Sequence, residues 1–295
     1  MGNLKGTVCA VLAAVFYGAN PFALFLYKEG VSPDSVLFYR YFAAAAILGA
    51  FLAVRGGVAA TFKECAGFCC LGGVFAFSSL SLFVSFNYMD AGIASTILFV
   101  YPVFVAIIMS VCFGEKFSMR LAVSMVSALA GVCLLCDWHG GNFSFFGVWL
   151  VLISSLLYAV YIVAVNRFFP NASALKLTFY VLISATITIA TEVYLRGGHL
   201  QILPNTNALF WALFLAVVPT VASLVLAAVA IRLLGATRTA VVGALEPLTA
   251  VAIGVCVFGE KLNFAICAGM MLIVAAVFVV VLQKSDRQAK QRNRF

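Results

Sequence analysis

Apolar residues in this chain come in long unbroken runs, not in strand-like alternation or in narrow helical stripes. A helix needs about 20 consecutive apolar residues to cross the hydrocarbon core of a bilayer. Ten such runs can be marked, at 5–27, 35–54, 66–88, 93–113, 118–136, 146–166, 174–195, 208–231, 238–258 and 264–282. The connections are short. They hold most of the charges, prolines and Gly pairs, among them Arg55-Gly56-Gly57, His139-Gly140-Gly141 and Gly197-Gly198. The pattern predicts an all-α integral membrane protein of ten transmembrane helices. The first run is too long for the apolar region of a secretory signal and no Ala-x-Ala site ends it, so it reads as a retained span. Gly6 stands where a myristoylation signal needs Ser or Thr.

Composition agrees. Apolar residues are 65% of the chain and charged residues 9%, where a soluble domain carries about 25% charged residues. The net charge of +8 is concentrated after the last run, in Lys284, Arg287, Lys290, Arg292 and Arg294. Such a juxtamembrane cluster suits a cytoplasmic end facing anionic lipid better than a nucleic acid. The nine cysteines lie mostly inside apolar runs, and His139 and His199 stand apart from them. They read as reduced, structural residues and predict no metal site. Nothing in the sequence calls for a cofactor.

Charge also orients the chain. Ten spans return both ends to one side. If that side is the cytoplasm, Lys5, Arg55, Lys63, Lys116, Arg120, Arg167, Lys176, Arg232, Arg238 and the five tail residues lie inside, leaving Lys28, Arg40, Arg196 and Lys261 outside or near it. The bias satisfies the positive-inside rule and the reverse orientation fails it. The expected location is the cell (inner) membrane with both termini cytoplasmic.

The chain repeats itself. Residues 101–116 read YPVFVAIIMSVCFGEK and residues 246–261 read EPLTAVAIGVCVFGEK. At an offset of 145, Pro102 meets Pro247, and Phe113-Gly114-Glu115-Lys116 meets Phe258-Gly259-Glu260-Lys261. At an offset of 141, Gly6 meets Gly147 and Tyr17 meets Tyr158. Two five-helix halves follow, 1–138 and 145–283, with a basic cytoplasmic tail at 284–295. Five is odd, so the second half is inverted. Inverted repeats build transporters whose substrate sits near the midplane, where the halves meet.

These residues resemble the drug/metabolite transporter superfamily in its EamA-type branch. That half-repeat carries Tyr/Trp-Gly in its first helix, Arg in the second, Pro in the fourth and Gly-Glu at the end of the fourth. Here they are Tyr17-Gly18, Arg40, Pro102 and Gly114-Glu115, then Tyr158-Ala159, Pro247 and Gly259-Glu260. The second half lacks the glycine after the tyrosine and the arginine. The resemblance spans the whole chain. It implies ten helices, cytoplasmic ends, and a central cavity lined by helices 1, 3, 4, 6, 8 and 9.

Glu246 is the acidic residue nearest mid-membrane, about 12 Å from Arg238 and about 21 Å from Glu260 along a helix. A charge there costs at least about 2.5–3.5 kcal/mol on insertion scales, so it must be protonated, paired or in a wet cavity. It is a candidate proton-coupling site or ligand for a cationic group. The alternative is a buried ion pair with Arg40. Arg40 is a candidate clamp for a substrate carboxylate, or a snorkelling or structural residue. Pro21, Pro102, Pro219 and Pro247 lie inside spans and free the carbonyls of Tyr17, Leu98, Leu215 and Gly243. They are candidate hinges, with those carbonyls turned to the cavity, or static bends. Tyr17, Asn20, Ser79, Phe83, Asn87, Tyr101, Tyr158, Tyr161 and Ser223 complete the candidate substrate-binding set. Singly, each fits an interhelical hydrogen bond or packing contact equally well. Tyr101 occupies the repeat position of Glu246. Ser127-x-x-x-Gly131 is a small-residue pair that packs a neighbouring helix or a second protomer, so monomer and homodimer both stay open.

The expected function is a secondary transporter that moves a small metabolite by alternating access. No G-x-x-x-x-G-K-[ST] occurs to bind a nucleotide. The family resemblance points to export of an amino acid or related compound. A gradient-independent facilitator or channel, or an uptake carrier for another small metabolite, stays open. An intramembrane enzyme would need paired catalytic groups at depth, and one glutamate with two loop histidines does not supply them.

Overall fold

A computed structural model describes residues 2–55, 57, 59–85, 88–89, 94, 97–115, 118–135, 144–259 and 264–292. Among them the chain is all-helical. Seven helices are long and apolar enough to span a membrane: α1 (Leu4–Lys28), α2 (Pro33–Val54), α3 (Phe62–Ser85), α6 (Phe145–Phe168), α7 (Ala174–Leu195), α8 (Thr206–Leu234) and α9 (Ala236–Phe258). Three helices with shorter apolar stretches complete the ten, namely α4 (Tyr101–Phe113), α5 (Met119–Leu135) and α10 (Phe264–Arg292, apolar over Phe264–Val279). The last continues ten residues past the expected end of its span. Gln, Lys, Arg and Ala favour helix, and nothing there breaks one.

The ends are set by local chemistry. Ser32 caps α2 by accepting from the Ser35 amide, with Pro33 in the first turn. Asn205 caps α8 by accepting from the Ala208 amide at 2.8 Å. Gly114 and Gly259 close α4 and α9 in left-handed conformation, at φ +63° and +71°. These are the two glycines that the offset of 145 superposes, so the repeat extends to backbone conformation. Gly235, at φ +88°, turns the chain between α8 and α9 within one residue, where the hydropathy pattern suggested a six-residue connection.

Small residues bring the helices together. A Cβ on Gly131 of α5 would lie 2.7 Å from the Gly269 carbonyl oxygen of α10, so the Ser127–Gly131 face is used within the molecule. Gly49 of α2 lies beneath the Phe179 ring of α7, and Gly72 of α3 lies against the Val181 carbonyl of α7. Gly6 of α1 meets Leu233 of α8. Equivalent helices of the two halves thus pair, α2 with α7 and α5 with α10. The central seams are α3 with α6 and α1 with α8.

Four spans are interrupted. α1 stops at Tyr17, passes through a 3₁₀ turn at Asn20–Ala23 and resumes at Leu24–Lys28. α8 carries a π-helical turn at Val217–Ala222 around Pro219. α9 turns at Gly243–Ala244, directly before Glu246-Pro247. In the fourth span, Ala94, Ile97 and Leu98 are helical and a turn at Phe99–Val100 precedes Tyr101-Pro102. Each break lies at or beside one of the four prolines. Three of the freed carbonyls take hydrogen bonds instead of facing a cavity unpaired. Ser155 Oγ donates to Leu98 at 3.0 Å, Thr220 Oγ1 to Leu215 at 2.7 Å, and the Glu246 amide to Gly243 at 2.9 Å. Polar backbone at membrane depth persists only with such partners.

Candidate functional site

A cavity lies among α1, α4, α6, α8 and α9, enclosing about 540 Å³ of space between atoms, its mouth included. Tyr17, Tyr101, Tyr158, Tyr161 and Glu246 line it, together with Ser223, Thr239 and a wall of alanines: Ala10, Ala13, Ala14, Ala227, Ala228 and Ala240. Glu246 is the only charged residue of the lining. Its side chain is half-buried. Among the described residues its carboxylate takes part in no ion pair, though the Arg40 charge acts on it through space.

The tyrosines form one cluster. Tyr101 and Tyr158 meet edge to face, with ring centres 4.9 Å apart, and Tyr158 and Tyr161 are stacked at 6.1 Å. Phe75 of α3 packs behind Tyr161 at 5.3 Å. Gly243 lets the Tyr101 hydroxyl in, since a Cβ there would lie 2.1 Å from the oxygen. That hydroxyl donates to the Ala240 carbonyl at 3.2 Å. Two other lining hydroxyls also donate to backbone: Ser223 to Ala13 at 2.9 Å and Thr239 to Gly235 at 2.8 Å.

The candidate residues separate into groups. Tyr17, Tyr101, Tyr158, Tyr161, Ser223 and Glu246 surround the cavity. Ser79 does not line it, and instead hydrogen-bonds to the Tyr41 hydroxyl at 3.0 Å. Phe83 packs partly buried against the core. No α3 side chain is in the lining, so α3 backs the cavity through Phe75, where the resemblance implied a direct wall. Asn87 lies outside the described residues.

Arg40 and Asn20 belong to a separate layer. Arg40 is 8% exposed. Its Nε donates to Thr220 Oγ1 at 2.5 Å, Nη1 to Asn20 Oδ1 at 2.7 Å, and Nη2 to the Pro219 carbonyl at 3.1 Å. The guanidinium carbon lies 5.5 Å from the centre of the Tyr17 ring. An ion pair with Glu246 is not formed here, and the residue does not snorkel. Its N–H groups hold the 3₁₀ turn of α1 and the π-turn of α8 together. Thr220, buried and 180 positions away in sequence, was not among the sequence candidates. A hydroxyl beside an intramembrane proline was the available signal.

The layers are ordered along the membrane normal. Ten traversals put the α1–α2 and α7–α8 connections on the face opposite the termini. There Ser32 donates its amide to Gln201 Oε1 at 2.5 Å, and Asn205 and Asn207 donate to the Glu29 carboxylate at 2.8 and 3.1 Å. Below them Phe22, Phe25, Trp211 and Phe214 interleave, with Phe25 and Trp211 stacked at 4.3 Å. The Arg40 layer follows, then the cavity. In four spans its residues come from the terminal half, 10–17 of α1, 158–162 of α6, 223–231 of α8 and 239–246 of α9, and Tyr101 reaches it from the start of α4.

The cavity residues have repeat counterparts along the α3–α6 seam. The offset of 145 relates Ser223 to Ser78, and the offset of 141 relates Ala13 to Ser154. Ser223 donates to the Ala13 carbonyl at 2.9 Å, and Ser78 donates to the Ser154 carbonyl at 2.8 Å. The same bond therefore ties both seams. At α3–α6 a second one is added, from Ser154 Oγ to the Ser78 carbonyl at 2.7 Å. Next along, Ser155 corresponds to Ala14 and Leu98 to Gly243. Ser155 bonds the Leu98 carbonyl, whereas Ala14 and Gly243 border empty space. With Tyr101 against Glu246, the two seams differ at four of these repeat positions.

The sequence matches the EamA-like transporter family twice, over residues 4–136 and 145–282. It is 26% identical over 276 residues to a protein of Archaeoglobus fulgidus named an uncharacterized transporter, covering 93% of this chain and 95% of that one. It is 25% identical over 289 residues to the uncharacterized transporter YcbK of Bacillus subtilis, covering 93% and 90%. A solved crystal structure superposes with a TM-score of 0.81 at 16% identity, over 94% of this chain and 98% of the other. With its ten helices in two inverted halves, the chain belongs to the EamA-like transporter family of the drug/metabolite transporter superfamily and is a membrane transporter.

Proposed function

We propose that this transporter is a secondary carrier, moving a small metabolite of the amino-acid and related class by alternating access, in the direction of export. The observation that carries the reading is the position of the cavity. It occupies the terminal half of the membrane, while the opposite half is closed by the Glu29–Ser32 contacts, the aromatic layer and Arg40. With both termini cytoplasmic in the inner membrane, as the positive-inside bias indicates, this is an inward-facing arrangement. The interruptions of α1, α8 and α9 lie between the closed layer and the cavity, where a change of access would bend the chain. Pro21, Pro219 and Pro247 serve as hinges there, and Pro102 at the matching break of the fourth span. A channel would not need a sealed half. An intramembrane enzyme would need a catalytic pair at depth, such as a histidine or a second carboxylate beside Glu246, and among the described lining residues there is no histidine, lysine or second carboxylate.

Glu246 couples flux to a gradient or holds the substrate. In proteoliposomes loaded with metabolite pools, Glu246→Gln is expected to lower flux at least about tenfold, the scale of one lost charged contact, and to flatten its pH profile. Normal flux with an unchanged profile rejects this role.

A further inference from the structure

Building on that reading, we infer that the cavity recognises a small monocationic amine, held by its ammonium at Glu246 and by its apolar portion against the alanine wall. The inference rests on what the lining offers. The hydroxyls of Tyr101, Ser223 and Thr239 all donate to backbone carbonyls, at 3.2, 2.9 and 2.8 Å. The hydrogens of these three hydroxyls are thereby committed, and lone pairs are what they turn to a solute; the hydroxyls of Tyr17, Tyr158 and Tyr161 also line the space and can accept as well as donate. Glu246 adds two more acceptor oxygens. An ammonium is the complement: three donors, no acceptor, and one positive charge.

The tyrosines favour the same ligand. Four of them surround the space, and an aromatic face within about 6 Å of a desolvated cation contributes up to about 2 kcal/mol. No lysine, arginine or histidine lines the cavity, so a carboxylate or phosphate entering it meets no counter-charge. Arg40 does not fill that role. It lies behind the Tyr17 ring, with its nitrogens donating to Thr220, Asn20 and Pro219. The rest of the wall is alanine and Gly243 together with Ile162, Leu224 and Ile231, an apolar surface that suits an aliphatic portion. Within the amino-acid-related class, the inference selects amines whose carboxylate is absent or blocked.

Butylammonium, butanol and butyrate share the chain and differ in the head group. Detergent-purified protein titrated with each is expected to gain thermal stability with butylammonium alone. Glu246→Gln and Tyr158→Leu should each raise the half-saturating butylammonium concentration about tenfold or more. Ser78→Ala, outside the cavity, should leave it unchanged. Equal stabilisation by butyrate or butanol, or none by butylammonium, overturns the inference. Flux of labelled butylammonium in proteoliposomes separates the two readings. Saturable binding without flux rejects the carrier and keeps the ligand class. Flux of other metabolites without any butylammonium effect does the reverse.

Discussion

The two central seams are built to one plan and finished differently. α3 and α6 are continuous helices joined by a reciprocal pair, Ser78 to the Ser154 carbonyl and Ser154 to the Ser78 carbonyl. α1 and α8 are both interrupted, and of this reciprocal pair they keep the bond from Ser223 to Ala13, the return donor being an alanine. Their remaining tie is Arg40, which reaches both broken segments from α2. The matching stretch of α7 holds Val181, Leu182 and Ala185, all fully buried. One seam is therefore fastened by short hydroxyl bonds within packed helices. The other is fastened by one long charged side chain across two breaks. The first is suited to being a fixed frame and the second to changing shape around the substrate.

Replacing the long fastener should have the largest effect. Arg40→Met leaves Asn20 and Thr220 facing a thioether, and loss of charge-assisted bonds of this kind costs roughly 2–3 kcal/mol. Thermal unfolding should drop accordingly, and flux in proteoliposomes should fall below detection. A variant with wild-type flux would show that the α1–α8 seam needs no such tie. The next effect concerns the breaks. Pro219→Ala and Pro247→Ala each restore an N–H, and should slow turnover several-fold while leaving stability within about 1 kcal/mol. Unchanged turnover in both would remove the hinges. The subtlest test makes the seams alike. Ala13→Ser supplies the hydroxyl that Ser154 has, and should add about 0.6 kcal/mol, the mean for a bond between membrane helices, while reducing turnover. Faster turnover would refute the link between seam stiffness and slow exchange.

Much of this was legible in the sequence because its causes are local or periodic. Hydropathy marks the ten spans, and the repeat pairs Gly114 with Gly259 and Tyr101 with Glu246. The proline breaks follow from a missing N–H. Three things were not legible. The partners of Arg40 are Asn20, Thr220 and the Pro219 carbonyl, which the fold alone brings together. The donors that satisfy the freed carbonyls come partly from another span, as with Ser155 and Leu98. Much of the cavity wall is alanine, whose side chain carries no polar signal. The offset of 141 sets Ala13-Ala14 against Ser154-Ser155, but only the fold shows which carbonyls those two serines bond and that the two alanines border the cavity.

That alanine wall also bears on how binding is driven. Alanine has no side-chain torsion to fix, so a solute resting against Ala10, Ala13, Ala14, Ala227 and Ala228 immobilises nothing on that side. Loss of rotamer freedom falls on the longer lining side chains, Glu246 among them. The solute meets a surface already in its bound shape on one flank and a single mobile carboxylate on the other. Discrimination should therefore depend on the width of the solute along most of its length and on its charge at one end.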